Sequence, residues 1–260
     1  MKRLNARVIL PIALFAAVLG FWEWSVAYWQ VPPFVLPPPS AILAVFQTDG
    51  ASLLGSAWTT LGTTLAAFAL ASLSGMALAT LFASSRIAEA ALSPYAVILQ
   101  VTPVVAIAPL IVVWVGLDNA WLAVLILAWI VAFFPVLASA TAGLKAVDPN
   151  LRDLFRLYRA SFWQTFRRLL VPASLPYLLA GLKTAGGLAL GGAVIAEFAA
   201  ASGTTNGLAW RILEAGNRLQ IAKMFAALVL LALIGVVIYA LLSVVEWLLL
   251  HRWHGQRHDG

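Results

Sequence analysis

Long apolar runs alternate with short polar breaks along this chain. A helix needs about 20 apolar residues to cross a bilayer. Six runs reach that length, approximately Val8–Trp29, Ala57–Ala83, Leu92–Val115, Trp121–Leu144, Tyr177–Ala199 and Phe225–Leu250. Gly116–Ala120 alone separates the third from the fourth, and its Gly-Leu-Asp-Asn is polar enough for a turn. The pattern predicts an all-α integral membrane protein with six transmembrane helices in one domain over residues 1–260. The N-terminus begins like a signal peptide. Its apolar run exceeds 20 residues and no small-x-small site follows, so it reads as a retained first span.

Two connections have a pattern of their own. Val31–Ser40 (VPPFVLPPPS) holds five of the 13 prolines and predicts an extended strap, because proline donates no backbone hydrogen bond. Residues 41–54 read as a short interfacial helix. The other connection covers about residues 145–176. Asp148-Pro149-Asn150 gives a cap signal before Leu151. Leu154, Phe155, Tyr158, Phe162, Phe166 and Leu169 then recur near helical spacing, while Arg152, Arg156, Arg159, Arg167 and Arg168 occupy other faces. Ala160-Ser161 and Trp163-Gln164 interrupt the stripe, predicting two short helices joined by a bend. Pro172 and Pro176 are expected to stop the second helix and admit the fifth span. A helix lying on anionic lipid would keep one continuous stripe. A bent, aromatic-bearing protrusion suits insertion into a partner's groove.

Composition fixes the solvent. The 260 residues are 63% hydrophobic and 10% charged, with mean hydropathy +0.96, against about 25% charged in soluble domains. Charge fixes the orientation. With both termini cytoplasmic, Lys2, Arg3, Arg7, Arg86, Lys145, Arg152, Arg156, Arg159, Arg167, Arg168, Lys183, Arg252 and Arg257 lie inside. Only Arg211, Arg218 and Lys223 lie outside, which the positive-inside rule favours. The same rule accounts for the net charge of +6 without nucleic acid.

Within the spans, Pro103, Pro109 and Pro135 permit kinks. Gly187 and Gly191 stand in GxxxG spacing, beside Gly186 and Gly192; they serve packing within the chain, or a subunit seam or sliding translocation surface. Glu197, near the outer end of the fifth span, is a functional group or a carboxylate bonded to neighbouring hydroxyls, shallow enough to reach water. Glu23, between Trp22 and Trp24, reads as interfacial, and Glu246 as lying near the inner end of the sixth span. No opposed charge pair is evident in mid-membrane, which argues against an ion-coupled carrier. Arg211, Glu214 and Arg218 form an external amphipathic segment, as a contact for an outside protein or as an interfacial helix with snorkelled cations.

Catalytic patterns are lacking. There is no GxxxxGK[ST] and no HExxH, no cysteine, and no histidine within a span. Any ATP must be hydrolysed by another chain, so the protein is no enzyme by itself. His251, His254 and His258 crowd the C-terminal tail and read as a polar tail rather than a metal site; no metal site is expected.

The chain resembles membrane permease subunits of bacterial binding-protein-dependent ABC importers, of the nitrate/sulfonate/taurine-type branch. Members carry a cytoplasmic motif of Glu-Ala-Ala, three residues, Gly, then about ten residues to Leu-Pro. Asp153-Leu154-Phe155, Arg159 and Val171-Pro172 match it in spacing. LPPPSAI (Leu36–Ile42), TPVVAIAPLIVVWVGL (Thr102–Leu117), FFPVLASATAGLKAVD (Phe133–Asp148), ASFWQTFRRLLVPASLPYLLAGLK (Ala160–Lys183), AVIAEF (Ala193–Phe198) and NGLAWRI (Asn206–Ile212) resemble further family segments.

The resemblance implies a type I importer permease fold in the inner membrane, with a five-helix core. Its partners would be a dimer of ATPase subunits holding ATP and Mg, a second permease subunit making a homodimer, a periplasmic substrate-binding protein and membrane lipid. Asp153, Leu154, Phe155, Tyr158, Arg159, Ala160, Ser161, Phe162, Trp163 and Pro172 would form the ATPase-coupling segment. Thr102, Pro103, Pro109, Gly187, Gly191 and Glu197 are candidates for the translocation path, and Arg211, Glu214 and Arg218 for the binding-protein contact. The solute would be a sulfonate-, nitrate- or taurine-like anion or a small heterocycle such as a pyrimidine precursor. Arg159 replaces the motif's Gly. It is expected to take ordinary helical angles, making the bend shallower and narrowing the choice of ATPase. An autonomous secondary carrier or channel is the rival reading; it needs polar midplane sites in this chain alone, and Glu197 is the single candidate.

Overall fold

The computed structural model describes residues 2–200 and 206–254. Every regular element described is helical, in the order α1 (Lys2–Tyr28), α2 (Pro39–Thr48), α3 (Gly50–Ser84), α4 (Arg86–Val101), α5 (Val104–Val115), α6 (Ala120–Lys145), α7 (Pro149–Leu157), α8 (Phe162–Thr165), α9 (Val171–Ala200), α10 (Leu208–Asn217) and α11 (Ile221–His254). A 3-10 turn over Leu117–Asn119 separates α5 from α6. Among the described residues five helices are long and apolar enough to span a membrane, six if α4 and α5 count together.

The third predicted span is a broken one. Its halves α4 and α5 meet at about 100°. Thr102 is extended (φ −70°, ψ 121°) and Pro103 caps α5. A residue before proline is pushed out of the helical region, and the proline has no N–H to continue the ladder. The sequence suggests kinks at Pro103 and Pro109; Pro103 makes a corner, while Pro109 and Pro135 stay inside α5 and α6.

Close contact divides the chain into two compact units, Met1–Trp58 with Asn206–Ala232, and Thr59–Thr205 with Leu233–Gly260. In the first, the strap leads into α2, a shorter helix than the predicted 41–54. Glu23 on α1 accepts hydrogen bonds from the Ser40 backbone N–H (3.0 Å) and hydroxyl (2.7 Å) at the start of α2. A carboxylate at a helix N-terminus answers free amides and the positive end of the dipole. Trp22 also packs on Phe225, ring centroids 5.7 Å apart.

In the second unit α6 is the central element. Ala123, Leu127, Ala128, Ala132, Val136 and Ala140 are buried along it. Glycines bring α6 and α9 together. A Cβ on Gly181 would stand 2.4 Å from the Ser139 Cβ, one on Gly192 3.0 Å from the Ala128 Cα, and one on Gly143 2.9 Å from the Ser174 Cβ. This is the small-residue packing by which membrane helices approach without a hydrophobic driving force between them.

Pro172 and Pro176 do not end a helix. The chain is helical from Phe162 to Ala200, with a π-turn over Phe166–Leu170. The Val171 N–H donates to the Phe166 carbonyl, five residues back. The wider turn sits just ahead of Pro172, where a standard turn would need the missing N–H and would crowd the ring. Pro176 is carried inside α9.

Candidate coupling elbow and intramembrane polar groups

Residues 148–170 fold into a bent helical hairpin whose every turn has a local cause. Asp148 caps α7, its carboxylate accepting from the Asn150 N–H at 2.8 Å, and Pro149 occupies the first turn. At the other end, Arg159 N–H donates to Arg156 O (2.9 Å) and Ala160 N–H to Phe155 O (3.0 Å). These are the two bonds of a Schellman ending, which places Arg159 at the left-handed position. Its φ is +50°. The expectation of helical angles at Arg159 is thus wrong: the arginine takes the conformation for which the family uses glycine, because the two carbonyls are satisfied only in that geometry. The bend is therefore not made shallower by loss of this turn. Ser161 then opens α8 with a capping box: its hydroxyl accepts from Gln164 N–H (3.2 Å) and its N–H donates to Gln164 Oε1 (2.8 Å).

The hairpin has an anchored side and a free side. Phe155 and Phe166 pack on the core of the second unit, and Arg152 Nη2 donates to Leu144 O at 3.1 Å. Leu157 and Tyr158 are 81% and 79% exposed, and Trp163 64%. Trp163 and Phe162 stack on Phe166 with centroids 5.6 and 5.9 Å apart. Ala160 lies in the bend and Leu154 is exposed, whereas Asp153 pairs with Arg156 at 3.2 Å. Of the coupling candidates, Tyr158, Phe162 and Trp163 lie on the free side, Phe155 is turned to the core, and Pro172 lies beyond the π-turn.

The path candidates have different settings. Thr102 turns its hydroxyl back to Ile98 O (2.7 Å), at the α4–α5 corner. Gly187 and Gly191 face open space, with nothing within 4 Å of an added Cβ, while their neighbours Gly186 and Gly192 are packed tightly. The intrachain packing role therefore falls to Gly181, Gly186 and Gly192, and the GxxxG pair lies on the opposite, uncovered face of α9. Glu197 is 1% exposed, so its carboxylate does not reach water, and it accepts from the Thr60 hydroxyl on α3 at 2.8 Å. The bonded-carboxylate alternative describes it. The Thr59-Thr60 and Thr63-Thr64 pairs of span two put a hydroxyl on each successive turn, but which of them meets Glu197 is decided by helix packing.

One intramembrane pair escapes the sequence reading. Lys183 lies inside α9 and donates to Glu246 Oε2 on α11 at 2.7 Å. Its Nζ also stands 5.0 Å from the Tyr239 ring centre. Sixty-three residues separate the partners, so no local spacing announces them.

In the first unit the three outer cations are all engaged. Arg211 Nε donates to the Ser56 hydroxyl (3.0 Å) and Nη1 to Glu214 (2.9 Å); Arg218 reaches the other Glu214 oxygen at 3.1 Å. Lys223 donates to Asp49 at 2.6 Å. That bond holds the Asp49 carboxyl below its ordinary value, outweighing the opposite push of burial. His251 stacks on Trp247; His258 and Asp259 lie outside the described residues, as does Arg257, and the side chain of His254 does too. Among the described residues no three His, Cys, Asp or Glu cluster as metal ligands.

The fold and these sites define a polytopic helical membrane protein with polar groups locked in pairs and one exposed, capped elbow. The chain belongs to the inner membrane components of binding-protein-dependent transport systems, whose family profile matches residues 71–249. It is 30% identical over 250 residues to a probable ABC transporter permease of Haemophilus influenzae, covering 96% of this chain and 98% of that one. It is 33% identical to a riboflavin transport system permease of Chloroflexus aurantiacus (94% and 89% covered) and 28% identical to the taurine transport system permease of Escherichia coli (97% and 92%). In fold it resembles a crystal structure of an amino acid ABC transporter with histidines, at a TM-score of 0.61 and 20% identity, covering 79% of this chain and 95% of that one. The chain is therefore a multi-pass inner-membrane permease subunit.

Proposed function

We propose that this permease carries a small solute, handed over by a periplasmic binding protein, and is driven by a separate ATPase dimer gripping the elbow at Asp153–Trp163. The carrying observation is the exposed ridge of Tyr158, Phe162 and Trp163 on a hairpin whose turns are all capped and whose back is packed on the core. Large apolar groups held rigidly outside a core favour a partner's pocket. Closure of the ATPase dimer would move the elbow as a body, and the long helices would transmit the movement to the path. Both termini and the elbow are then cytoplasmic, as the charge distribution favours. Gly187 and Gly191 offer a close-approach face for a second permease copy, the homodimer reading. Glu214, already bridging Arg211 and Arg218, leaves mainly Arg218, 65% exposed, to meet the binding protein.

The solute is a small anion of the sulfonate or taurine kind, or a small heterocycle; relatives named for riboflavin and for taurine support both. Binding assays on the accompanying periplasmic protein would choose between them. The decisive test of the coupling reading is co-purification of an ATPase with the full chain. Tyr158→Ala with Trp163→Ala, surface changes that spare the core, are expected to lower ATPase retention at least tenfold, as loss of interface anchors does. Undiminished retention, or solute flux through liposomes by this chain alone, would favour the autonomous carrier instead.

A further inference from the structure

A cleft of about 760 Å³ opens beside the elbow, between the end of α3, the first turns of α4, the end of α6 and α7–α8. Its polar wall carries Arg86, Lys145, Arg152 and Arg156 against one carboxylate, Glu89. Two of these cations are compensated: Lys145 pairs with Glu89, and Arg156 with Asp153 at 3.2 Å. Among the described residues Arg86 and Arg152 have no carboxylate partner. Arg152 is nonetheless held in place, through its bond to the Leu144 carbonyl. The cleft thus keeps two uncompensated guanidinium groups.

The remaining wall is apolar, formed by Phe82, Ala83, Leu144 and Leu170. Directly outside, α4 turns Ile87 (83% exposed) and Tyr95 (69%) away from the protein. Exposed apolar side chains of this kind suit acyl chains in a chain of this composition. Guanidinium groups in the wall and apolar surface beside them match one chemistry: a phosphate ester whose other end is hydrocarbon. Arginine is suited to phosphate because its planar fork donates two parallel bonds. Basic pockets between spans on the cytoplasmic side are where anionic headgroups are held.

We propose that this cleft is a binding site for the headgroup of an anionic phospholipid, with Arg86 and Arg152 on the phosphate. The consequence is mechanical. Arg86 belongs to α4, and Arg152 to the elbow. A shared phosphate would tie the elbow to α4 through the lipid, beside the bond that already holds Arg152 to Leu144 of α6. The proposal does not depend on the transport reading, since it concerns the chain without its ATPase.

The test is native mass spectrometry of the full chain in detergent with phosphatidylglycerol or phosphatidylcholine. The wild-type chain is expected to retain phosphatidylglycerol selectively. Arg86→Gln and Arg152→Gln are each expected to reduce that retention about tenfold, the scale of one charge-assisted bond. Arg86→Lys, which keeps the charge, should retain much of it and so separates binding from misfolding. Arg167→Gln with Arg168→Gln removes two exposed charges that do not line the cleft, and should change nothing. Equal loss in that control, or equal retention of phosphatidylcholine, would overturn the site. Displacement of the lipid by an equal concentration of inorganic phosphate would overturn the lipid as occupant in favour of a free anion. Loss of all selectivity once the ATPase is bound would assign the cleft to that partner instead.

Discussion

Arg159 shows how a single residue can run against its own preference. A non-glycine residue in the left-handed region costs roughly 1–2 kcal/mol, and it is held there by the two bonds of the α7 ending. Arg159→Gly is expected to stabilise the chain by about 1 kcal/mol, read as a higher thermal midpoint in detergent. A lower midpoint would mean that the arginine side chain contributes more than its backbone costs. Since the turn survives, any narrowing of ATPase choice by Arg159 must come from its guanidinium; the same variant, tested for ATPase retention, checks it. Glu197 makes the second residue-scale case. Thr60→Val removes a donor from a buried carboxylate and should cost about 1–3 kcal/mol. Asp49 adds a pH dependence. Its folded pKa lies below its ordinary 3.8, so the Lys223 contact stabilises fully above that pH. The contribution fades as pH falls through the lower, folded value. Melting between pH 3 and 7 should show a loss at the acid end that Lys223→Met abolishes; the side chain of Asp49 is 38% exposed, so the effect is small.

At the scale of elements, α9 is the informative helix because its two faces answer differently to the same change. Gly181→Ala would drive a methyl into Ser139 of α6 and is expected to destabilise by about 1–3 kcal/mol. Gly187→Ala meets open space and should be neutral or slightly stabilising, since alanine is the better helix former. The comparison is read in thermal midpoints of the isolated chain. Similar losses at both positions would contradict the packing described. The same helix holds Lys183 against Glu246. Removing either charge leaves the other uncompensated within a span. Lys183→Met and Glu246→Leu should each lower the midpoint and the double variant should recover part of it; simple additivity of the two losses would mean that the pair is not coupled.

On the scale of the whole molecule, the six apolar runs were legible because the bilayer sets a length that only sequence composition has to meet. The two helices of the elbow were legible as well, since local capping decides both ends: Asp148 with Asn150, and Ser161 with Gln164. The family motifs could be found because they are contiguous strings. Three features depended on tertiary structure. The corner at Thr102–Pro103 depends on what each half-helix packs against, which proline alone leaves open between kink and break. The π-turn before Pro172 absorbs a defect that sequence rules read as a stop. Lys183 finds Glu246, and Glu197 finds Thr60, across 63 and 137 residues. Periodicity records which residues share a face of one helix, whereas partners on different helices are chosen by how those helices pack. The chain by itself thus determined that it lives in lipid, how many times it can cross, and where its elbow bends. Which glycines close the α6–α9 contact and which carboxylate on another helix meets Lys183 were settled only when the helices met, because the partner of a charge is a property of the assembled neighbours.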